Sequence, residues 1–443
     1  MTLPKAHNYD PKRVFDLMII GSGMAGMAAS LFAVNRNISA VQAGSAGGTL
    51  FTSGLMDILS VYPPAEKRVW DNPWAALAEL RKHSSEHPYA RVSDDLIRRA
   101  FDEVTAFCGA AGMKFRLGVE RNLKVITSLG TVKYTYGVPE SMWACVEALT
   151  DKRPCLVVGF QGLKEFSARQ VTSTLADEWT SLRACRLVFP GTEGRTEVYA
   201  VHLAQALELA SIREALAERI RPHIADARAV GFPAVLGIKR TSVITAHLEK
   251  LLGLPVFEIP MMPASVPGFR LKELFDSELP KRGLLRLIDK RVDSVSRLDD
   301  GTFVLSITGE DEVRTIRARG VILATGRFMG KGILSDRRGI FEPLFNIPLH
   351  QPNERALWHS ERFLDPRGHP LNSAGVEVDD YFRPVDDKKN LIHENLFAAG
   401  TILAHQDWMR MKCGSGIAIA TAYAAVEAFS EMFIKAEPRV AAR

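Results

Sequence analysis

Val14 to Ile20, broken only by Asp16, is a short and nearly continuous apolar run, the pattern of a strand buried on both faces of a parallel sheet. Met24 to Val34 follows, rich in Ala, Met and Leu and free of proline, which suits a helix; Ile38 to Gln42 reads as the next strand. Together they predict one βαβ unit. After Pro63-Pro64 the character changes, and Asn72 to Ala111 is mostly helical in pattern, with Trp74, Leu77 and Leu80 at helical spacing. Cys155 to Phe160, Glu165 to Trp179 and Arg186 to Phe189 predict strand, helix and strand; Ala234 to Gly237, Val243 to Leu251 and Val256 to Ile259 repeat the scheme. Leu284 to Leu287, Val292 to Leu298, Thr302 to Thr308 and Glu312 to Ile316, with turns at Asp299-Asp300-Gly301 and Gly309-Glu310-Asp311, predict a β-meander. It leads to Gly320 to Gly326, a further buried strand closing on glycine, and Asn395 to Gly400 is another.

These segments place the chain in the α/β class, as a Rossmann-like dinucleotide-binding domain with a β-meander, interrupted by a large α/β capping insertion. The expected division is 13–61, 265–345 and 390–435 for the nucleotide-binding domain, 62–264 for the inserted cap and 346–389 for a minor cap segment. At 443 residues, more than one core is expected.

The chemistry concentrates at the glycines. Gly21-Ser22-Gly23-Met24-Ala25-Gly26 lies between the first strand and its helix, the context that makes a G-x-G-x-x-G match informative. There the first glycine permits a tight turn, the second admits a pyrophosphate against the backbone and the third lets helix pack on strand. An acidic residue for the ribose hydroxyls is expected at the end of the second strand, but Gln42 stands there. It can hydrogen-bond a hydroxyl without charge assistance, so FAD is favoured while FMN stays open. Gly47-Gly48-Thr49 and Ser53-Gly54-Leu55-Met56-Asp57 form a second small-residue loop. Ala324-Thr325-Gly326 ends the strand after the meander, and Gly400 ends the last one. Cys413-Gly414-Ser415-Gly416 opens an Ala-rich helix reaching about Phe429, suited to aim N–H groups at the N1/O2 edge of a flavin.

Charge and cysteine content narrow the class. A net charge of +5, with basic residues scattered among nearly as many acids, does not indicate nucleic-acid binding. Five cysteines without a C-x-x-C pair argue against disulfides, a zinc site or an iron–sulfur cluster in this chain, so a reducing cytoplasmic compartment is expected. No stretch reads as the ~18–20 apolar residues of a spanning helix, and the polar segment Met1 to Arg13 lacks a signal-peptide core.

Phe15 to Gly26, Ser53 to Ser60, Leu254 to Leu271 with its Pro260 to Gly268 core, Leu323 to Pro343 and Asp407 to Gly414 resemble the B subunits of the anaerobic glycerol-3-phosphate dehydrogenases, flavoproteins of the fumarate reductase and succinate dehydrogenase type. The resemblance covers nearly the whole chain. It implies a flavoprotein, joined to the inner membrane only through partners, in a complex oxidising sn-glycerol 3-phosphate to dihydroxyacetone phosphate. It further implies two partner chains, a catalytic A subunit and an iron–sulfur C subunit that passes electrons to quinone. Two alternatives stand beside it: a flavin-holding chain next to a homologous catalytic one, and a flavoprotein acting on another anion such as a dicarboxylate.

Arg327, Lys331, Arg337 and Arg338 follow the Ala324-Thr325-Gly326 strand end, and Arg410 and Lys412 precede the C-terminal loop; any of them could bind a substrate phosphate, Arg410 foremost. Oxidising a secondary alcohol also needs a base, for which His405, His350 and His369 are the nearest histidines in sequence. Cys413, at a helix start, is a candidate contact to the isoalloxazine with a lowered pKa.

Overall fold

The computed structural model describes residues 12–45, 47–309 and 313–435. The expected turn residues Glu310 and Asp311, the start of the strand at Glu312, and the polar N-terminal stretch through Pro11 lie outside them. Strand β1 (Val14–Ile20), helix α1 (Met24–Asn35) and strand β2 (Ala40–Gly44) form the βαβ unit, β2 lying two residues further on than expected. β1 is the centre of a seven-stranded sheet, parallel to β2 on one side and to Val313–Leu323 on the other. Leu285–Ile288 extends β2, and Arg291–Arg297 with Phe303–Thr308 supplies the antiparallel meander.

Val313–Leu323 replaces two expected elements with one. Its first half alternates in exposure and pairs antiparallel with Phe303–Thr308; its last residues are fully buried and pair in parallel with Leu396–Ala398. The hydrophobic period changes midway because the neighbouring strand changes, and an eleven-residue strand therefore reads as two.

A second, four-stranded parallel sheet contains Val256–Ile259, Ala229–Pro233, Cys155–Phe160 and Leu182–Leu187. The strand expected at Ala234 to Gly237 is instead Ala229–Pro233, wholly before it, and the one expected at Arg186 to Phe189 is Leu182–Leu187. The buried run 229–237 is longer than the strand, so hydrophobicity alone did not mark where pairing stops. The helix expected over Glu165 to Trp179 is shorter, Ala168–Thr174.

Two helices lie within the segment 62–264 expected as the inserted cap. Helices Pro73–His83 and Asp94–Ala110, capped by Asn72 and Ser93, bury Trp74, Leu77, Leu80, Phe101 and Val104 in the same core as β1 and α1. The second core draws on the second sheet with Trp179, Phe189, Phe232 and Phe257. The C-terminal helix Gly414–Phe429 packs on α1. With its continuation to Ile434 it has the length and apolarity of a membrane span, contrary to expectation, but 67% of its most apolar window is buried within the protein, the mark of a core helix.

One buried ion pair joins the two units. Arg270, on helix Val266–Glu278, donates to both oxygens of Glu258 at 2.6 and 2.7 Å; Ser141 Oγ and the Leu236 N–H complete that carboxylate, and Arg270 Nε reaches the Gly237 carbonyl at 2.8 Å. Neither charged side chain is more than 3% exposed. Removing one partner leaves the other charged and dry, so Glu258→Ala should destabilise the protein by about 3–5 kcal/mol, read as a lower midpoint in urea unfolding.

Candidate functional site

Gly21 has φ +124°, and a Cβ there would stand 2.2 Å from the Ala324 carbonyl oxygen. A Cβ on Gly26 would stand 2.0 Å from the Gly21 carbonyl. Both glycines are therefore required by the packing of β1, α1 and the end of Val313–Leu323. Gly23 differs. Its φ of −74° and ψ of −178° suit any residue, and a Cβ would meet nothing within 4 Å. Nothing inside the protein demands a glycine there, whereas a pyrophosphate approaching the turn does. Helix α1 starts at this point with no side-chain cap and no acidic residue in its first turn, so its leading N–H groups are free for phosphate oxygens. Met24 and Ala25 supply that first turn, and Ser22 Oγ donates to the Ser45 carbonyl.

Gln42 lies within β2, not at its end. Its Nε2 donates to the Gly21 carbonyl at 2.9 Å, while Oε1 is buried without a partner. That bare acceptor fits a ligand hydroxyl, as does the equally unpartnered Oγ of Thr325. Gly44, which sequence reasoning passed over, closes the turn: a Cβ there would lie 2.7 Å from Ser22 N.

Thr49 is buried under the turn, its Oγ1 3.4 Å from the Ser22 carbonyl, while Gly48 is open. The loop Gly47 to Gly54 rests on Ser265-Val266-Pro267-Gly268. Ser265 N donates to Leu50 O at 2.9 Å, Ser265 Oγ bonds Thr52 O and caps its own helix through Gly268 N, and Gly54 sits against Pro267. The Pro-Ala-Ser-Val-Pro-Gly segment is thus the floor of this loop. Ser53 Oγ accepts weakly from Leu55 N at 3.4 Å.

Gly326, at φ +68°, and Gly400, at φ +81°, end their parallel strands; Gly400 packs on Ala25 and its N–H donates to Thr421 Oγ1 at 2.8 Å. The start of the C-terminal helix is uncapped by side chains and has no acidic residue in its first turn. Ser415 Oγ ties it to Asp57, accepting from Asp57 N at 2.6 Å, and Gly414 and Gly416 make room for Trp408 and the Tyr89 hydroxyl. Cys413 is fully buried, and burial pushes its thiol well above the ordinary range, with Asp57 and Asp407 adding to the shift. The expected lowering of its pKa at a helix start is overturned: desolvation outweighs the dipole.

The candidate cations separate into two groups. Lys331, Arg337 and Arg338 are exposed on the 331–339 surface, where Asp336 bonds the N–H groups of Arg338 and Gly339. Arg327 is no free phosphate ligand. Its guanidinium donates to the carbonyls of Asn372, Leu403 (3.0 Å) and Gln406 (2.9 Å), and burial pushes its pKa down to about 10. It clamps the 401–407 loop to the 372 loop. Arg410 pairs with Asp407 at 3.1 Å, and Asp407 caps its short helix. Lys133, which no sequence signal singled out, reaches Asp57 at 2.8 Å, leaving Asp57 Oδ1 buried and unpartnered. Lys412 is near these pairs and exposed to solvent; partial desolvation and then the Lys133 ammonium hold its pKa below the ordinary lysine range, while Asp57 and Asp407 oppose the shift.

The histidines are already engaged. His405 bonds Glu377 Oε1 through Nε2 at 3.1 Å, and Glu86 Oε2 stands 3.6 Å from its Nδ1, beyond hydrogen-bond distance. His369 accepts from Ser360 N at Nδ1 and meets the Phe363 carbonyl at Nε2. A cavity of about 420 Å³, lined among others by Arg116, Trp143, Thr245 and Arg270, includes none of the glycine-turn residues.

Residues 16–417 match the FAD binding domain family. The chain is 32% identical over 430 residues to a probable B subunit of anaerobic glycerol-3-phosphate dehydrogenase from Halobacterium salinarum (strain ATCC 29341 / DSM 671 / R1), covering 94% of this chain and 98% of that one. It is 26% identical over 423 residues to the B subunit of the anaerobic glycerol-3-phosphate dehydrogenase of Vibrio vulnificus (strain YJ016), covering 93% and 95%. Among solved structures it is similar to a 3-ketosteroid delta1-dehydrogenase from Sterolibacterium denitrificans, at 11% identity and a TM-score of 0.42, covering 94% of this chain and 99% of that one.

Gly23 separates cofactor binding from folding. Gly23→Ser adds a good N-cap and meets no protein atom, so the stability of the cofactor-free protein should stay within about 0.5 kcal/mol of the parent. Its affinity for FAD should nevertheless fall at least tenfold, about 1.4 kcal/mol, in a fluorescence-quenching titration. Gly26→Ala, by contrast, should lower the thermal midpoint of the cofactor-free protein itself.

Proposed function

The chain belongs to the FAD binding domain family, and within it to the B subunits of anaerobic glycerol-3-phosphate dehydrogenase; on that premise we propose that it oxidises sn-glycerol 3-phosphate to dihydroxyacetone phosphate. FAD is its cofactor, the version favoured over FMN from the glycine turn. Gly21 to Gly26 with the start of α1 would hold the pyrophosphate, Gln42 Oε1 a ribose hydroxyl, and the start of the C-terminal helix the flavin's electron-rich edge. When bound, FAD supplies the hydride acceptor.

The chain's own residues supply the rest. Lys412 and Arg410, with Lys133 beside them, take the phosphate, and the bare Asp57 Oδ1 accepts the hydrogen bond of the hydroxyl to be oxidised. The observation that carries this reading is Lys412. It is exposed to solvent in the field of Lys133 and Arg410, which with partial desolvation hold its pKa below the ordinary lysine range against the opposing pull of Asp57 and Asp407, so that three cations are gathered where a phosphate dianion would meet them. Electrons leave through an iron–sulfur partner chain toward quinone, and the protein joins the inner membrane through such partners. Lys331, Arg337 and Arg338 have no part in this site.

A second reading has its own support. Arg410, Lys133 and His405 each already face a carboxylate, and the terminal nitrogens of Arg327 bond carbonyls, as suits a chain that holds a flavin next to a separate catalytic one.

In the assembled complex, sn-glycerol 3-phosphate should bleach the flavin absorbance of this chain. Arg410→Ala and Lys412→Ala should raise KM at least tenfold each, about 1.4 kcal/mol, with FAD content unchanged. Phosphate binding should weaken as pH rises through the lowered pKa of Lys412, because the ammonium is the binding form, and Lys412→Arg should flatten that dependence. Unchanged KM and bleaching in both alanine variants would establish the second reading.

A further inference from the structure

Away from the glycine turns, three metal-ligating side chains converge from separate segments. His350 ends the short strand Leu349–His350, Glu377 follows the strand Gly375–Val376 paired with it, and His405 lies beyond the last glycine-ended strand. One carboxylate oxygen faces both rings: Glu377 Oε1 is 3.1 Å from His405 Nε2 and 3.5 Å from His350 Nδ1. One ligand atom from each residue can be chosen so that all three lie within 4.8 Å of one another. We propose that His350, Glu377 and His405 bind a divalent ion of the zinc class, with the fourth coordination position left to water.

The distances carry the argument. Ligand atoms at the ~2.0–2.1 Å bond length of zinc, disposed tetrahedrally, stand roughly 3.3–3.4 Å from each other, and the two measured separations bracket that value. Two imidazole nitrogens and one carboxylate are a donor set that zinc-class ions favour over calcium or magnesium. The surroundings resemble a metal site as well. Glu86 faces the far nitrogen of His405, as a carboxylate does when it orients a ligating histidine, and Lys389 bonds Glu377 Oε2, turning Oε1 toward the rings. His405 has φ +61°, a conformation uncommon outside glycine, held by its N–H to Ser373 O at 2.8 Å. The His350 and His405 rings are 4.1 Å apart between centroids, a spacing unfavourable for two imidazolium cations. A small cleft of about 10 Å³, lined by Glu86, Arg91, Glu377 and His405, lies beside these groups.

Such an ion would join the 349–377 segment to the loop after Gly400, which Arg327 clamps from its other side. The inference does not depend on the glycerol-3-phosphate reading. Tag-free, FAD-loaded protein stripped with a chelator should take up one equivalent of Co²⁺, with the intense visible bands of four-coordinate cobalt, and Zn²⁺ should displace it. His350→Ala and Glu377→Gln should each weaken uptake roughly 10–100-fold while FAD content is retained. Lys389→Ala, which removes the bond that turns Oε1 toward the rings, should also weaken uptake, whereas Lys389→Arg, which keeps that bond, should restore it. Absence of stoichiometric uptake by the parent protein, or uptake undiminished in both ligand variants, overturns the proposal.

Discussion

The structure depends on the close approach of three backbone segments at the carboxyl end of β1. Gly21, Gly26 and Ala324 approach so closely that a methyl group on either glycine would overlap a carbonyl oxygen. Gly21 N bonds Ala43 O, and Ala324 N bonds Ile20 O, both at 2.8 Å, so β2, β1 and Val313–Leu323 end level with one another. That level edge gives α1 a start with free N–H groups above a turn containing Gly23, the one glycine there that nothing inside the protein requires.

Around this edge, segments distant in sequence act as supports. The Pro-Ala-Ser-Val-Pro-Gly stretch is a floor for the Gly47 to Gly54 loop, Arg327 a clamp on the loop after Gly400, and Ser415 a tie between the C-terminal helix and Asp57. The Arg270–Glu258 pair joins this apparatus to the second sheet. Motifs that looked like ligand contacts are partly structural: Gly414 and Gly416 accommodate Trp408 and Tyr89, and Cys413 is a buried packing residue with a high pKa.

Electrostatics divides the molecule in a similar way. Arg410 and Lys133 are paired with carboxylates, Lys331, Arg337 and Arg338 face solvent, and Arg327, whose terminal nitrogens bond carbonyls, has a pKa pushed down by burial to about 10. Lys412 stands apart because it faces solvent while partial desolvation and the ammonium of Lys133 lower its pKa against the pull of Asp57 and Asp407.

The βαβ unit, the glycine turn, the meander and the glycine-ended strands were legible in the sequence, because buried strands and phosphate turns depend on local hydrophobic period and on backbone freedom. The FAD assignment and the family followed from the same glycines and their flanking motifs. Tertiary structure alone decided that 313–323 is one strand with two neighbours, that helices 73–83 and 94–110 belong to the first core, and that Lys133 meets Asp57. It also turned Arg327 inward and brought His350, Glu377 and His405 together. Local pattern records what a residue needs from its neighbours in sequence, whereas partners supplied by distant segments, and the desolvation that shifts their charges, arise only when the chain closes on itself.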